Sequence, residues 1–329
     1  MTSAIAVQGL RKEYPHGVEA LRGISFDVRP GEVFALLGPN GAGKSTTVRI
    51  LTTLAAASAG RAEVAGFDVA GAPDEVRRRI GYVAQTSGGD VYATGRENVE
   101  LQGRFYGLAR GEARRRAGEL LEAFQLTAAA DRLVRTYSGG MKRRLDVAIG
   151  LVHRPRILFL DEPTAGLDPE SRAALWREVG RLSQGGLTIL LTTHYLEEAD
   201  RLAQRVGILD RGALVAAGTP DALKSSLRGD RVRIVPVDAT RVEESARHLQ
   251  QLPGVASVLI EGAALSARVE HGARSIPALV GSLERHGVAV AEVAASRPSL
   301  DDVYLQVTGH SFPGDEPGAA SARAPLEAL

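Results

Sequence analysis

The residues best suited to chemistry form a glycine-rich segment near the N-terminus. Eight consecutive residues satisfy G-x-x-x-x-G-K-[ST], a pattern in which glycines let the backbone curl so that its N–H groups point at phosphate oxygens. Lys44 would add a charge near the β- and γ-phosphates, Ser45 a hydroxyl ligand for Mg²⁺, and Thr46 a donor toward the α-phosphate. The segment comprises Gly38, Pro39, Asn40, Gly41, Ala42, Gly43, Lys44 and Ser45. An apolar run precedes it and a helical pattern follows, which favours a phosphate-binding loop (P-loop) over a simple glycine-rich turn.

Two adjacent carboxylates follow a second apolar run, at residues 157–160. Asp161 and Glu162 would stand at the carboxyl end of a strand, which in a doubly wound sheet lies beside the P-loop. Asp161 would then hold Mg²⁺, and Glu162 would accept the proton of an attacking water molecule. The alternative is that the pair only stabilises the N-terminus of the next helix.

A third motif, Ser138-Gly139-Gly140, stands 23 residues before Asp161 and starts a segment with apolar residues at helical spacing. A helix N-terminus with an unhindered backbone and a hydroxyl group is suited to bind a γ-phosphate. The sequence therefore predicts a second phosphate-binding helix end.

These motifs need a scaffold that holds strand ends and helix starts together. Up to about Pro220, strand-sized apolar runs alternate with longer helical stretches, which predicts an α/β domain with a parallel sheet covered by helices. Polar, arginine-rich helical sequence interrupts this alternation and indicates a helical insert at about residues 86–153. We assign the nucleotide-binding domain to residues 1–222 and a linker to residues 223–229.

A second pattern follows at residues 230–309. Its order of elements, βαββαβ, is that of a ferredoxin-like sandwich, so we predict a small α+β domain. Thr240 and Glu243 have the spacing of a capping box at the start of its first helix.

The end of this domain is predicted to be a further amphipathic helix. Ser299 and Asp302 have the spacing of a capping box at its start, and Gly309 is placed to end it. Residues 310–329 are rich in Pro, Gly, Ala and Ser and are expected to form a disordered tail.

Composition excludes several classes of protein. The 329 residues include 40 Lys and Arg against 39 Asp and Glu, and this near-neutral balance argues against nucleic acid as the main partner. The sequence has no cysteine, which rules out disulfides and thiolate zinc sites and fits a reducing compartment. We find neither a secretory signal nor an apolar run of about 18 residues, so we expect any work at a membrane to require a partner chain.

Together the three motifs resemble those of the nucleotide-binding subunits of ATP-binding cassette (ABC) transporters, whose signature motif is usually Leu-Ser-Gly-Gly-Gln. Here Tyr137 replaces the Leu and Met141 the Gln, while the Ser-Gly-Gly core is intact. The resemblance covers about residues 4–220. It implies an ABC cassette fold, ATP as the nucleotide, and Mg²⁺ as its cofactor.

The same resemblance implies roles for four more residues. Tyr14 matches the aromatic residue that stacks on adenine, Gln85 the glutamine near Mg²⁺ and the transmembrane partner, and His194 the histidine beside the γ-phosphate. Asp168 matches the loop that crosses the dimer interface. In this family two cassettes meet head to tail, so the chain is expected to pair with itself or with a similar chain and to build two composite sites. The expected catalytic group is Glu162, His194, Gln85 and Lys44.

The closing sequence Leu-Asp-Asp-Val-Tyr-Leu-Gln-Val-Thr-Gly, residues 300–309, resembles a motif of the daunorubicin-resistance type of exporter ATPases. The resemblance implies the ATPase subunit of an exporter for drugs or similar hydrophobic compounds. It also implies a separate permease and a peripheral position on the cytoplasmic face of the membrane.

Three alternatives remain open. The cargo could be a lipid, a polysaccharide or a peptide. A soluble ABC ATPase outside transport is expected to carry a long coiled coil, zinc cysteines or a second cassette, and this sequence has none of them. A purely regulatory module would tolerate the loss of Glu162 or His194, and both are present.

Overall fold

The computed structural model describes residues 3–227, 229–310 and 312. They form two compact units, which divide after Pro220. No helix in these ranges combines the length and the apolar character needed to cross a bilayer.

The first unit contains two sheets and a set of covering helices. The strands are β1 Ile5–Tyr14, β2 Val18–Val28, β3 Val33–Leu37, β4 Ala59–Val64, β5 Phe67–Asp68, β6 Ile80–Val83, β7 Ile157–Asp161, β8 Thr188–Thr193, β9 Arg205–Asp210 and β10 Ala213–Gly218. The helices are α1 Lys44–Leu51, α2 Pro73–Arg77, α3 Gly95–Phe105, α4 Arg110–Ala123, α5 Gly139–Leu151, α6 Pro169–Gln184 and α7 Leu196–Leu202. Helix α8, Pro220–Ser226, begins at the boundary and occupies part of the segment predicted as a linker.

The central sheet has the order β10-β9-β3-β8-β7-β6, and its strands run parallel except for β10. Strands β3, β7 and β8 are buried along their whole length, as expected for parallel strands that are covered on both faces. The carboxyl ends of parallel strands meet at one edge of the sheet. This edge therefore gathers the P-loop after β3, the two carboxylates at the end of β7, and the segments after β6 and β8.

The second sheet is antiparallel, with the order β2-β1-β4-β5. It shares one apolar core with the central sheet and helix α1, in which the rings of Phe26 and Phe34 stack with centroids 5.2 Å apart. Helices α3, α4 and α5 lie between β6 and β7 in the chain, within the segment 86–153 that is predicted as a helical insert.

The second unit has the predicted βαββαβ order. Its elements are β11 Asp230–Pro236, α9 Val242–Gln250, β12 Val255–Glu261, β13 Ala264–Val269, α10 Gly272–Arg285, β14 Val290–Ser296 and the terminal helix α11 Leu300–Thr308. The four strands form an antiparallel sheet with the order β12-β13-β11-β14, which is the strand order of a ferredoxin-like sandwich.

The two predicted capping boxes of this unit have different outcomes. At the start of α11 the prediction is confirmed: Ser299 Oγ accepts from the Asp302 N–H (3.2 Å), and Asp302 accepts from the Ser299 N–H (2.8 Å). The box of Thr240 with Glu243 is wrong. Asp238 instead accepts from the Thr240 N–H and hydroxyl (2.9 and 2.6 Å), because an Asp two residues upstream closes a tight local turn.

The predicted disordered tail, residues 310–329, lies outside the described residues except at positions 310 and 312. The rings of His310 and Phe312 pack edge-on against Tyr304, with centroids 5.5 and 4.8 Å away. The first residues after α11 therefore contribute to the packing of this unit.

Candidate nucleotide-binding site

The P-loop has a backbone that only glycine allows at its key positions. Gly43 immediately precedes α1 with φ of 105°, and a Cβ atom there would meet the carbonyl oxygen of Ala20 at 2.7 Å. A Cβ atom on Gly38 would lie 2.3 Å from the Leu209 carbonyl oxygen. The glycine spacing seen in the sequence is thus required by close packing, and it leaves the N-terminus of α1 open to an anion.

Lys44 is nearly buried, with 4% of its side chain exposed. Its Nζ donates to the carbonyl oxygens of Gly38 (2.7 Å) and Pro39 (3.0 Å) and lies 3.1 Å from Glu162 Oε1. Burial lowers the pKa of Lys44, and the negative charges of Glu162 and Asp161 oppose that shift. The charged amine is therefore held by carbonyls on one side and by a carboxylate on the other.

Ser45 and Asp161 meet as the sequence predicts. Ser45 Oγ donates to Asp161 Oδ1 at 3.1 Å, and Thr192 Oγ1 donates to the same oxygen at 2.6 Å. Thr192 also accepts from the Glu162 N–H at 2.9 Å. The hydroxyl of β8 thereby fixes the end of β7, a role that the sequence analysis missed.

Glu162 is the centre of the site. Its Oε2 accepts from Gln85 Nε2 at 3.1 Å and lies 3.2 Å from His194 Nδ1, although the angle of the histidine contact does not meet hydrogen-bond geometry. With Lys44 on its other oxygen, one buried carboxylate is in contact with three of the residues that the sequence singles out. The backbone of Glu162 has φ of 44°, a left-handed conformation that costs free energy in a non-glycine residue and is held by its surroundings.

A cavity of about 510 Å³ opens beside this carboxylate. Tyr14 lines it together with the P-loop, Gln85 and Glu162, so the predicted adenine-stacking ring faces the same space as the phosphate-binding residues. Its P-loop lining consists of Asn40, Gly41, Gly43, Lys44, Ser45 and Thr46. Ala42, between Gly41 and Gly43, is buried.

The remaining predicted residues lie elsewhere on the first unit. Ser138 is exposed and forms the N-cap of α5, where its Oγ accepts from the Met141 N–H (3.2 Å); Gly139 is exposed beside it and Gly140 is buried. Asp168 is the exposed N-cap of α6, and hydrogen bonds from Ser171 lower its pKa. Within the described part of the chain, none of these four residues lines the 510 Å³ cavity.

Comparison with known proteins agrees with this geometry. The family model for ABC transporters matches residues 21–165, and the model for the C-terminal domain of DrrA1-3-like ATP-binding proteins matches residues 218–308. The daunorubicin resistance ATP-binding protein DrrA2 of Streptomyces coeruleorubidus is 45% identical over 308 residues, or 93% of this chain and 95% of that protein. The linearmycin resistance ATP-binding protein LnrL of Bacillus subtilis is 35% identical over 294 residues, or 89% and 94%.

Solved structures of ATP-binding cassettes also resemble this chain. A dimeric ATP-binding cassette in a post-hydrolysis state, bound to ADP and Pi, superposes with a TM-score of 0.60 at 27% identity and covers 65% of this chain and 98% of that one. The fold and the site define a P-loop ATPase of the cassette type. The chain belongs to the ABC transporter family as an ATP-binding subunit, and its reaction is ATP hydrolysis coupled to transport.

Proposed function

We propose that this chain is the ATPase motor of a drug exporter and that Glu162 is its catalytic base. The observation that supports the proposal best is the convergence of Lys44, Gln85 and His194 on the Glu162 carboxylate at the edge of the nucleotide cavity. A carboxylate can accept a proton from water as that water attacks the γ-phosphate. Gln85 and His194 then hold this carboxylate and the attacking water in line.

Lys44, the P-loop and Tyr14 bind ATP in this proposal. Lys44 pairs with the β- and γ-phosphates, the loop amides and Thr46 surround the phosphate chain, and Tyr14 offers a face to adenine. Ser45 and Asp161 fit a magnesium ion, because a hydroxyl and a carboxylate 3.1 Å apart are the hard oxygen ligands that Mg²⁺ prefers. When bound, Mg²⁺ neutralises charge on the phosphate oxygens.

The exposed motifs complete the site of a second chain. Ser138 and Gly139 are exposed at the start of α5, and Asp168 is exposed at the start of α6, so both helix ends are available to a partner. We propose that the partner is a second copy or a similar cassette, and that the α5 N-terminus of each chain binds the γ-phosphate held by the other chain's P-loop.

The permease is proposed to dock on the helical insert. Tyr92 and Phe105 are 77% and 76% exposed, and Leu101 lies one turn before Phe105 on α3 with half of its surface exposed. Large exposed apolar groups that lie together mark interaction sites. This contact would hold the chain at the cytoplasmic face of the membrane.

Drug-type cargo is supported by the two relatives described above, which are named for resistance to daunorubicin and to linearmycin. Because fold and site determine the reaction and not the cargo, a lipid, polysaccharide or peptide cargo is a separate outcome of the tests.

The proposal is tested by expressing the chain with the membrane protein encoded beside it in a drug-sensitive host. Wild type should raise the tolerated drug concentration, and Glu162→Gln should abolish the gain. Phe105→Ser should prevent co-purification of the two proteins while ATP binding persists, and Val215→Ser, at an exposed apolar residue of β10, is the matched control. Resistance that survives Glu162→Gln would contradict the motor function, and a wild-type pair that hydrolyses ATP without raising the tolerated drug concentration would contradict drug cargo.

A further inference from the structure

Arg143 is a buried arginine on the inner face of α5, with 7% of its surface exposed. Each of its three guanidinium nitrogens donates to a different backbone carbonyl oxygen. Nε contacts the carbonyl of Pro163 at 2.7 Å, Nη2 that of Asp161 at 3.0 Å, and Nη1 that of Ala84 at 2.5 Å. One side chain thus joins the helix of the signature motif to two loops of the nucleotide site.

Two of these carbonyls belong to the residues on either side of Glu162. The left-handed φ of Glu162 persists only if the neighbouring peptides are held firmly. Arg143 donates to the backbone carbonyl oxygens of Asp161 and Pro163. On the other side, Thr192 Oγ1 accepts from the Glu162 N–H. The direction of the Glu162 carboxylate therefore depends on a residue that does not contact the carboxylate itself.

The third carbonyl belongs to Ala84, directly before Gln85. Asp146, one turn after Arg143 on α5, accepts from Ser87 Oγ (2.8 Å) and from the Gly88 N–H (3.3 Å). Helix α5 thus holds the loop of Gln85 on both sides of that residue. Gln85 in turn donates to Glu162. The contacts of α5 with the residues beside Glu162 and with the Gln85 loop therefore both affect the same carboxylate.

The chemistry of the guanidinium group suits this task. Burial lowers the pKa of Arg143, and the carboxylates of Asp146 and Asp161 oppose the shift. Arginine stays protonated in proteins, so a positive charge lies inside the unit. A buried charge is costly unless its hydrogen bonds are satisfied. The planar fork of arginine reaches three carbonyls in three directions, whereas the single amine of lysine cannot reproduce that pattern.

We propose that Arg143 is a positioning residue for ATP hydrolysis, which couples helix α5 to the orientation of Glu162 and Gln85. The inference rests on the proposed role of Glu162 as the base. It also rests on the proposed contact of the α5 N-terminus with a second chain, and it adds a consequence: a shift of α5 on meeting that chain's γ-phosphate would move the carbonyls that flank Glu162. The orientation of Glu162 in each site would then depend on whether the other site holds ATP.

The test compares Arg143→Gln with Arg144→Gln in the full chain. Arg144 is the next residue on the same helix and donates to the Phe124 carbonyl at 3.1 Å, so it makes a similar contact away from the site. Arg143→Gln should lower kcat by about 10- to 100-fold, the scale of a misplaced catalytic group, and leave the Kd for Mg-ATP within about threefold. Arg144→Gln should keep kcat within about twofold of wild type.

A double mutant separates positioning from loss of structure. If Arg143 acts through Glu162, Arg143→Gln should add no further loss to the residual single-turnover rate of Glu162→Gln. The inference would be overturned if the rate losses of Arg143→Gln and Glu162→Gln multiply in the double mutant. Equal kcat values for the Arg143 and Arg144 variants, or a defect confined to ATP binding, would also overturn it. If Arg143→Gln does not fold, Arg143→Lys, which keeps the charge but only one donor atom, takes the same comparisons. Wild-type turnover in Glu162→Gln alone would instead refute the proposed base, and the inference with it.

Discussion

Replacing the Glu162 carboxylate by an amide is the most direct perturbation of this site. Glu162→Gln keeps the size of the side chain, and its carbonyl oxygen can still accept from Gln85. It removes the group that would accept a proton from water. General-base catalysis contributes about 10²- to 10⁴-fold, so turnover should fall by that factor, which corresponds to about 3–5 kcal/mol of transition-state stabilisation.

The assay is phosphate release at saturating Mg-ATP, with nucleotide binding followed separately by a fluorescent analogue. The matched control is Glu32→Gln. Glu32 is also nearly buried, lies 3.4 Å from Arg205 Nη1, and accepts from the Arg29 N–H at 2.7 Å, but it lies before β3 at the opposite edge of the sheet. The control should lose stability and keep its turnover per folded molecule. A Glu162→Gln protein that retains more than about a tenth of wild-type turnover would refute the reasoning.

Three further predictions follow from other contacts. Ser138→Arg and Lys44→Ala should each be inactive as homodimers, and an equal mixture should recover a measurable activity of at most about a quarter of wild type, since half of the dimers would hold one intact composite site. About a quarter is expected for independent sites and a smaller fraction if each site depends on the other, and no recovery would contradict composite sites. Asp302→Ala should lower the free energy of unfolding of the second unit by about 3 kcal/mol in urea titration, because buried Asp302 lies 3.2 Å from Arg231, and an unchanged midpoint would disprove the importance of this pair. Burial lowers the pKa of His153, so the folded state binds fewer protons than the unfolded state and the first unit should lose stability as pH falls below about 6.5. His153→Gln should reduce that pH dependence, and an equal dependence in both proteins would exclude His153 as its source.

The P-loop, the acidic pair and the start of α5 could be predicted because each motif is local. Glycines at fixed spacing, an apolar run and a hydroxyl at a helix start determine their own backbone geometry, and the parallel sheet brings strand ends to one edge. The βαββαβ order of the second unit was also accessible, because its strands and helices have clear hydrophobic periodicities.

The sequence was least informative about polar residues inside an apolar segment, and about places where two neighbouring polar side chains can make the same hydrogen bond. The sequence did not show that the Thr192 hydroxyl, near the end of β8, has Asp161 and the Glu162 N–H as partners inside the core. Arg143 was missed because its three acceptors come from two distant loops. Only tertiary structure shows that an arginine at a core position of α5 has partners there.

The contact between Lys44 and Glu162 has a further consequence for nucleotide binding. In this structure Lys44 Nζ lies 3.1 Å from the carboxylate proposed as the base, so ATP phosphates must replace Glu162 as its partner. Phosphates carry more charge than one carboxylate, so the exchange is favourable, and it leaves Glu162 with Gln85 and His194. Glu162→Gln weakens the pair that ATP must break. It should therefore bind Mg-ATP more tightly than wild type, by about 1 kcal/mol or roughly fivefold, while Glu32→Gln should not. Equal or weaker binding by Glu162→Gln in fluorescence titration would show that Lys44 and Glu162 do not compete with the nucleotide.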